Sequence, residues 1–107
     1  MVSCTTEFIL IVQFEVRSNE DFDLLLLLEQ KLQNAIGDLA RFDGRDWGAG
    51  EMNIFIYSAC PDKLFTIIRE ILERERVLPR AKIAYRRVDG EKYTALWPAG
   101  FEGFRVK

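Results

Sequence analysis

Between Glu7 and Val16 the chain alternates cleanly: Phe8, Leu10, Val12, Phe14 and Val16 fall on one face, Ile9, Ile11, Gln13 and Glu15 on the other. A period of two is that of a β-strand. Because both faces are apolar until Gln13 and Glu15, this strand is expected inside a sheet and covered on both sides. Ser18-Asn19-Glu20-Asp21 then supplies capping side chains, and acids where a helix dipole favours them. The spacing predicts a helix from there to Ile36, stopping at Gly37, with Leu25, Leu28, Leu32, Ala35 and Ile36 as its buried stripe. Leu24, Leu26 and Leu27 are left to spread around the cylinder, either wedged against a neighbouring helix or open to a partner.

Leu39–Phe42 reads as a short strand and Met52–Ser58 as a stronger one, with Ile54 and Ile56 opposing Phe55 and Tyr57. The run Asp43 to Asn53 between them is expected to be a long hairpin loop. Pro61 opens a second helix, on which Leu64, Phe65, Ile67, Ile68, Ile71 and Leu72 recur at helical spacing and Glu70, Glu73, Arg74 and Glu75 mark the wet side. After Pro79, Ala81–Val88 and Lys92–Trp97 read as strands joined through Asp89-Gly90, and Phe101 and Phe104 in the tail are expected to pack back on the domain. The order β-α-β-β-α-β plus one strand predicts an α+β ferredoxin-like sandwich. Two helices would cover one face of an antiparallel sheet of order 5-4-1-3-2.

Composition narrows the classes. The 107 residues fit a single domain, 1–107, and 49% hydrophobic with 30% charged residues is an ordinary globular balance. The longest apolar runs, Phe8–Val12 and Leu24–Leu28, are far shorter than the roughly 20 residues of a membrane-spanning helix. The start of the chain has no basic segment and no small-residue cleavage pattern, so a cytoplasmic protein with no membrane association is expected. With no histidine, His-based triads and His-containing metal sites are excluded. Cys4 and Cys60 are too few for a disulfide framework. The net charge of −2 hides an asymmetry: residues 1–53 carry −6 and residues 54–107 carry +4.

The richest chemistry lies in the Asp43–Asn53 run, with three glycines, three carboxylates, Arg45 and Trp47. Asp43, Asp46 and Glu51 could offer oxygen ligands, but Arg45 stands third and Glu51 ninth, against the alternating early ligands and twelfth-position glutamate of a calcium loop. No helix and no lysine follows the glycines, which removes a phosphate cradle. No metal and no cofactor is therefore assigned. The glycines are read as allowing positive φ or a bulge, and Arg45, Asp46, Trp47 and Glu51 as partner-binding residues.

Elsewhere the candidates are thinner. Cys60 precedes a helix start, but Asp62 opposes a thiolate there and no base accompanies it. Phe55 and Tyr57 invite comparison with the base-stacking platform of RNA-recognition motifs, yet the basic and Gly-aromatic-Gly positions of that motif are absent. Arg76, Arg80, Lys82, Arg86 and Arg87 are read as charges guarding a sheet edge, so nucleic acid is not taken as the partner. Phe55, Tyr57, Tyr85 and Arg87 are candidate contacts on an aromatic sheet face through which a homodimer could form. An alternative is a small-molecule site, possible in an enzymatic ferredoxin-like domain, between sheet and helices and using Tyr57, Tyr85, Glu15 and Arg87.

Gly48-Ala49-Gly50-Glu51-Met52-Asn53-Ile54-Phe55-Ile56-Tyr57, followed by a polar turn and Pro61, resembles a segment of small bacterial proteins of uncharacterised function, some of them immunity-type. The likeness spans about residues 38–98, and Cys60 stands where such sequences carry an acid. It implies no catalytic residue. The expectation is a non-enzymatic protein-binding module, in its concrete form an immunity-like inhibitor of a toxin, with an acidic Trp47 loop meeting a basic protein partner.

Overall fold

The computed structural model describes residues 7–48, 50–98 and 104. Phe101, Cys4 and Ala49 lie outside them. The elements are β1 (Phe8–Glu15), α1 (Asn19–Ile36), β2 (Arg41–Gly48), β3 (Glu51–Ser58), α2 (Pro61–Arg74), β4 (Ala81–Arg87) and β5 (Thr94–Trp97), with one-turn 3₁₀ helices at Gly37–Leu39 and Leu78–Arg80. The chain is α+β: five strands form one sheet in the order β2-β3-β1-β4-β5, every neighbouring pair antiparallel. This is consistent with a ferredoxin-like arrangement. Among the described residues no helix is long and apolar enough to cross a membrane.

β1 sits at the centre because nothing else could satisfy both of its faces. Leu10, Val12 and Phe14 are fully buried on the face that both helices cover, where they meet Leu25, Leu28, Leu32 and Ile36 of α1 and Leu64, Ile68, Ile71 and Leu72 of α2. Ile9 and Ile11 are buried on the far face with Ala84 and Phe104, flanked by Phe55, Tyr57 and Tyr93. Phe104 thus folds back on the domain, its ring edge-on to Tyr93 at 4.9 Å.

Local chemistry sets the helix ends. Ser18 Oγ accepts from the Asp21 N–H at 3.1 Å and Asp21 Oδ2 accepts from the Arg17 N–H at 3.0 Å, a reciprocal cap of the first turn of α1. Gly37 ends that helix at φ 55°, a left-handed conformation in which glycine carries no Cβ penalty. The stripe of α1 differs from the sequence expectation at two positions: Ala35 is exposed and Glu29 is buried instead. Leu26 packs on the core edge, whereas Leu24 and Leu27 remain exposed.

α2 closes with a Schellman motif. The Val77 N–H donates to the Leu72 carbonyl at 2.9 Å and the Arg76 N–H to the Glu73 carbonyl at 3.1 Å, while Val77 and Leu72 both bury in the core. The left-handed residue of the motif is Arg76, at φ 63°, where glycine is usual.

Three substitutions test this packing. Phe14→Ala, at a fully buried site, should destabilise by about 3–5 kcal/mol in urea unfolding, whereas Leu27→Ala, at 64% exposure, should change stability by less than about 0.5 kcal/mol. Arg76→Gly should raise stability by about 1 kcal/mol, since it removes the left-handed strain without losing either backbone bond.

Candidate functional site

The segment richest in candidate chemistry is not a loop. β2 runs to Gly48 and pairs with β3 through Arg45–Ile54, Asp46–Asn53, Trp47–Met52 and Gly48–Glu51, and Gly50, just before β3, lies in a turn. A register shift between Phe42 and Arg45 accommodates Asp43 and Gly44 as a bulge, with Gly44 at φ 94°, and Gly50 takes φ 77° in the turn. The positive φ values and bulge foreseen for the glycines are present, but they shape a strand instead of a long loop. The Val16 N–H then ties the turn to the end of β1 by donating to the Gly50 carbonyl at 2.8 Å.

Two contacts with α1 hold this edge strand on the helix side. Arg45 Nη1 donates to Glu29 Oε1 at 2.6 Å, and the Glu29 side chain is only 5% exposed. A carboxylate so desolvated needs a close cation, so Arg45 is committed to the fold before any partner arrives. Two turns toward the start of α1, Phe22 stacks on Trp47 with centroids 4.3 Å apart and planes at 29°. Trp47 nevertheless keeps 53% of its surface in solvent. It also overhangs a shallow recess formed with Val16, Ser18, Asn19 and Gly50.

The four partner-binding candidates therefore divide. Arg45 and Trp47 project to the helix side; Asp46 and Glu51 take the opposite register positions, on the far face. Asp46 is exposed, and Glu51 is half-buried in the wall of a cavity at the end of the sheet. The carboxylates and the tryptophan do not form one cluster.

The sheet-face candidates also separate. Phe55 and Tyr57 lie on the far face beside Ile9 and Ile11, and Arg41 stacks its guanidinium over the Tyr57 ring at 4.5 Å while pairing with Glu7 at 3.0 Å. Tyr85 belongs to the helix side, edge-on to Phe8 at 5.4 Å, and Arg87 pairs with Asp89 at 3.3 Å. Since Arg87 and Tyr85 stand opposite Phe8 and Leu10 in the sheet, their side chains share the helix side with those residues. A site between sheet and helices built from Tyr57, Tyr85, Glu15 and Arg87 is not assembled, because that interface is filled by the apolar core.

Arg86 has a local duty. Arg86 Nη1 donates to the carbonyls of Arg87, Val88 and Gly90 at 3.0–3.1 Å and so organises the β4–β5 connection, which is longer than the two-residue turn that Asp89-Gly90 suggested. Cys60 is the exposed cap residue of α2, its N–H donating to Ser58 Oγ at 3.0 Å.

Glu29 was not among the sequence candidates. Its place four residues after Leu25 and three before Leu32 puts a carboxylate on the apolar stripe of α1, and that was the readable signal. Comparison with protein-family models, curated proteins and solved structures finds no match.

Removing one member of the Glu29–Arg45 pair should be costlier than removing both. Arg45→Ala is expected to lose about 2–3 kcal/mol, somewhat less than a fully buried pair because Arg45 is part-exposed. The double variant Glu29→Leu/Arg45→Met should unfold within about 1 kcal/mol of wild type, giving a clear coupling in a double-mutant cycle.

Proposed function

We propose that the chain is a non-enzymatic protein-binding module whose contact surface centres on Trp47 at the end of edge strand β2, acting as an immunity-like inhibitor of a basic protein, in a cytoplasmic setting and on a ferredoxin-like frame. The observation that carries this reading is the half-exposed Trp47 ring, held in one orientation by stacking on Phe22. A tryptophan that is already ordered loses little conformational entropy on binding and buries a large apolar area, which is how interface anchors act. Asp43 and Asp46 on the same strand are exposed and add negative charge that would steer a basic partner.

Arg45 is withdrawn from this contact surface by Glu29, and Glu51 contributes no more than a margin. Leu24 and Leu27, neighbours on the outer side of α1, extend the exposed apolar area of the same element that carries Phe22.

The test is affinity capture from the native host with intact protein and with Trp47→Ala, followed by calorimetry on the captured partner. Trp47→Ala should weaken binding about 30-fold or more, equivalent to about 2 kcal/mol, while the variant's unfolding transition stays cooperative. Asp46→Ala should mainly slow association and reduce its salt dependence. Unchanged affinity in both variants would overturn the proposal.

A further inference from the structure

We propose that the recess of about 280 Å³ on the far face of the sheet binds a flat fused ring of the 2-amino-4-oxopyrimidine type, the system shared by guanine and the pterins, held between Asp43 and Arg86. Its floor is Ile9 and Ile11, and Phe55, Tyr57 and Tyr93 stand around it. A volume just under the roughly 300–1,000 Å³ of drug-sized sites suits one small ring system and little more. The recess lies on the sheet face opposite the Trp47 ring and does not depend on the protein-binding reading.

The register puts these groups in rows. Ile9 lies between Tyr57 on β3 and Arg86 on β4, and Ile11 between Phe55 and Ala84. Asp43 comes from the bulge on β2, where the register shifts between Phe42 and Arg45. An exposed carboxylate on β2 and a guanidinium on β4 therefore wall one apolar recess from opposite sides. At about 4.8 Å per strand their backbones stand roughly 14 Å apart, a gap that two side chains lining the same recess reduce toward the length of a bicyclic ring.

The two poles ask for different edges of one ligand. Arg86 Nη1 donates to three backbone carbonyls, which fixes the plane of the guanidinium, and its Cζ lies 5.8 Å from the Tyr93 ring centre. A guanidinium also carries N–H groups on Nε and Nη2, in a fork that matches an exocyclic oxygen beside a ring nitrogen. The Asp43 carboxylate only accepts, and it matches a ring N–H beside an exocyclic amine. A 2-amino-4-oxopyrimidine ring fused as in guanine or a pterin has both edges, and its flat faces suit an isoleucine floor with aromatic rings around it. Adenine presents the reverse polarity, an acceptor where the carboxylate needs a donor. A simple anion would meet Asp43 and a simple cation Arg86, so a neutral ring with one donor edge and one acceptor edge is the complementary ligand.

The test is NMR titration of the intact chain with GMP, IMP and AMP, which share ribose and phosphate and differ in the base, and with biopterin, which carries the ring without either. GMP or biopterin should give saturable shifts at Ile9, Ile11 and Tyr93 with the Trp47 indole unmoved, and the tighter of the two tells a purine occupant from a pterin. IMP, which lacks the exocyclic amine, and AMP should each bind at least about tenfold more weakly than GMP; lumazine, with oxygen in place of the amine, should do the same against biopterin. Asp43→Asn and Arg86→Gln should each weaken the better ligand at least about tenfold. The comparison of rings on the wild-type chain stands even if Arg86→Gln, which loses three backbone contacts, fails to fold. No saturable shift below about 5 mM with either ring, equal binding of the control lacking the amine, or undiminished binding in Asp43→Asn would overturn the proposal. So would a guanine trinucleotide that binds more than about tenfold tighter than GMP and loses that gain in high salt, since the ligand would then be a nucleic acid.

Discussion

The constraint on which the structure depends is the burial of β1 on both faces and along both edges. A strand whose Leu10, Val12 and Phe14 need one hydrophobic layer, and whose Ile9 and Ile11 need another, must have neighbours on each side and cover above and below. The two helices supply the first layer. The far layer is thinner, assembled from Phe55, Tyr57, Tyr93, Ala84 and Phe104, and it gives way to polar residues where β1 reaches Gln13 and Glu15. The change from Ile11 to Gln13 along one face of one strand therefore decides where a polar cavity can form.

The same constraint pushes β2 to the edge, with only one strand to pair with. Its attachment then rests on what α1 offers it: a buried carboxylate for Arg45 and an aromatic ring for Trp47, one on each of two successive helix-facing positions. The bulge at Asp43-Gly44 and the charges at Arg41, Asp43 and Asp46 discourage pairing of this edge with another sheet.

Much of the fold was legible in the chain. The period-two pattern of Glu7–Val16, the Ser18 cap, the Gly37 stop and Pro61 each carry a local physical reason that tertiary structure had no cause to override. β2 was misread because Asp43-Gly44-Arg45-Asp46 has weak strand propensity and turn-forming residues; it is a strand through its pairing with β3 and its contacts with α1, neither of which propensity encodes. Arg76 was illegible for a related reason, since the left-handed position at the end of α2 is marked by no glycine. Tyr85 and Arg87 were grouped with Phe55 and Tyr57 because side alternation within a strand is readable, whereas the relative register of two strands is set by long-range pairing.

The central claim is that residues 43–48 form an ordered edge strand that holds Trp47 in place, half exposed, on α1. Nuclear Overhauser contacts in the free protein test it directly. The account predicts ring contacts between Phe22 and Trp47 together with cross-strand contacts linking residues 46–48 to residues 51–53. Random-coil shifts across residues 43–48, with no contact from Trp47 to either Phe22 or Met52, would contradict it.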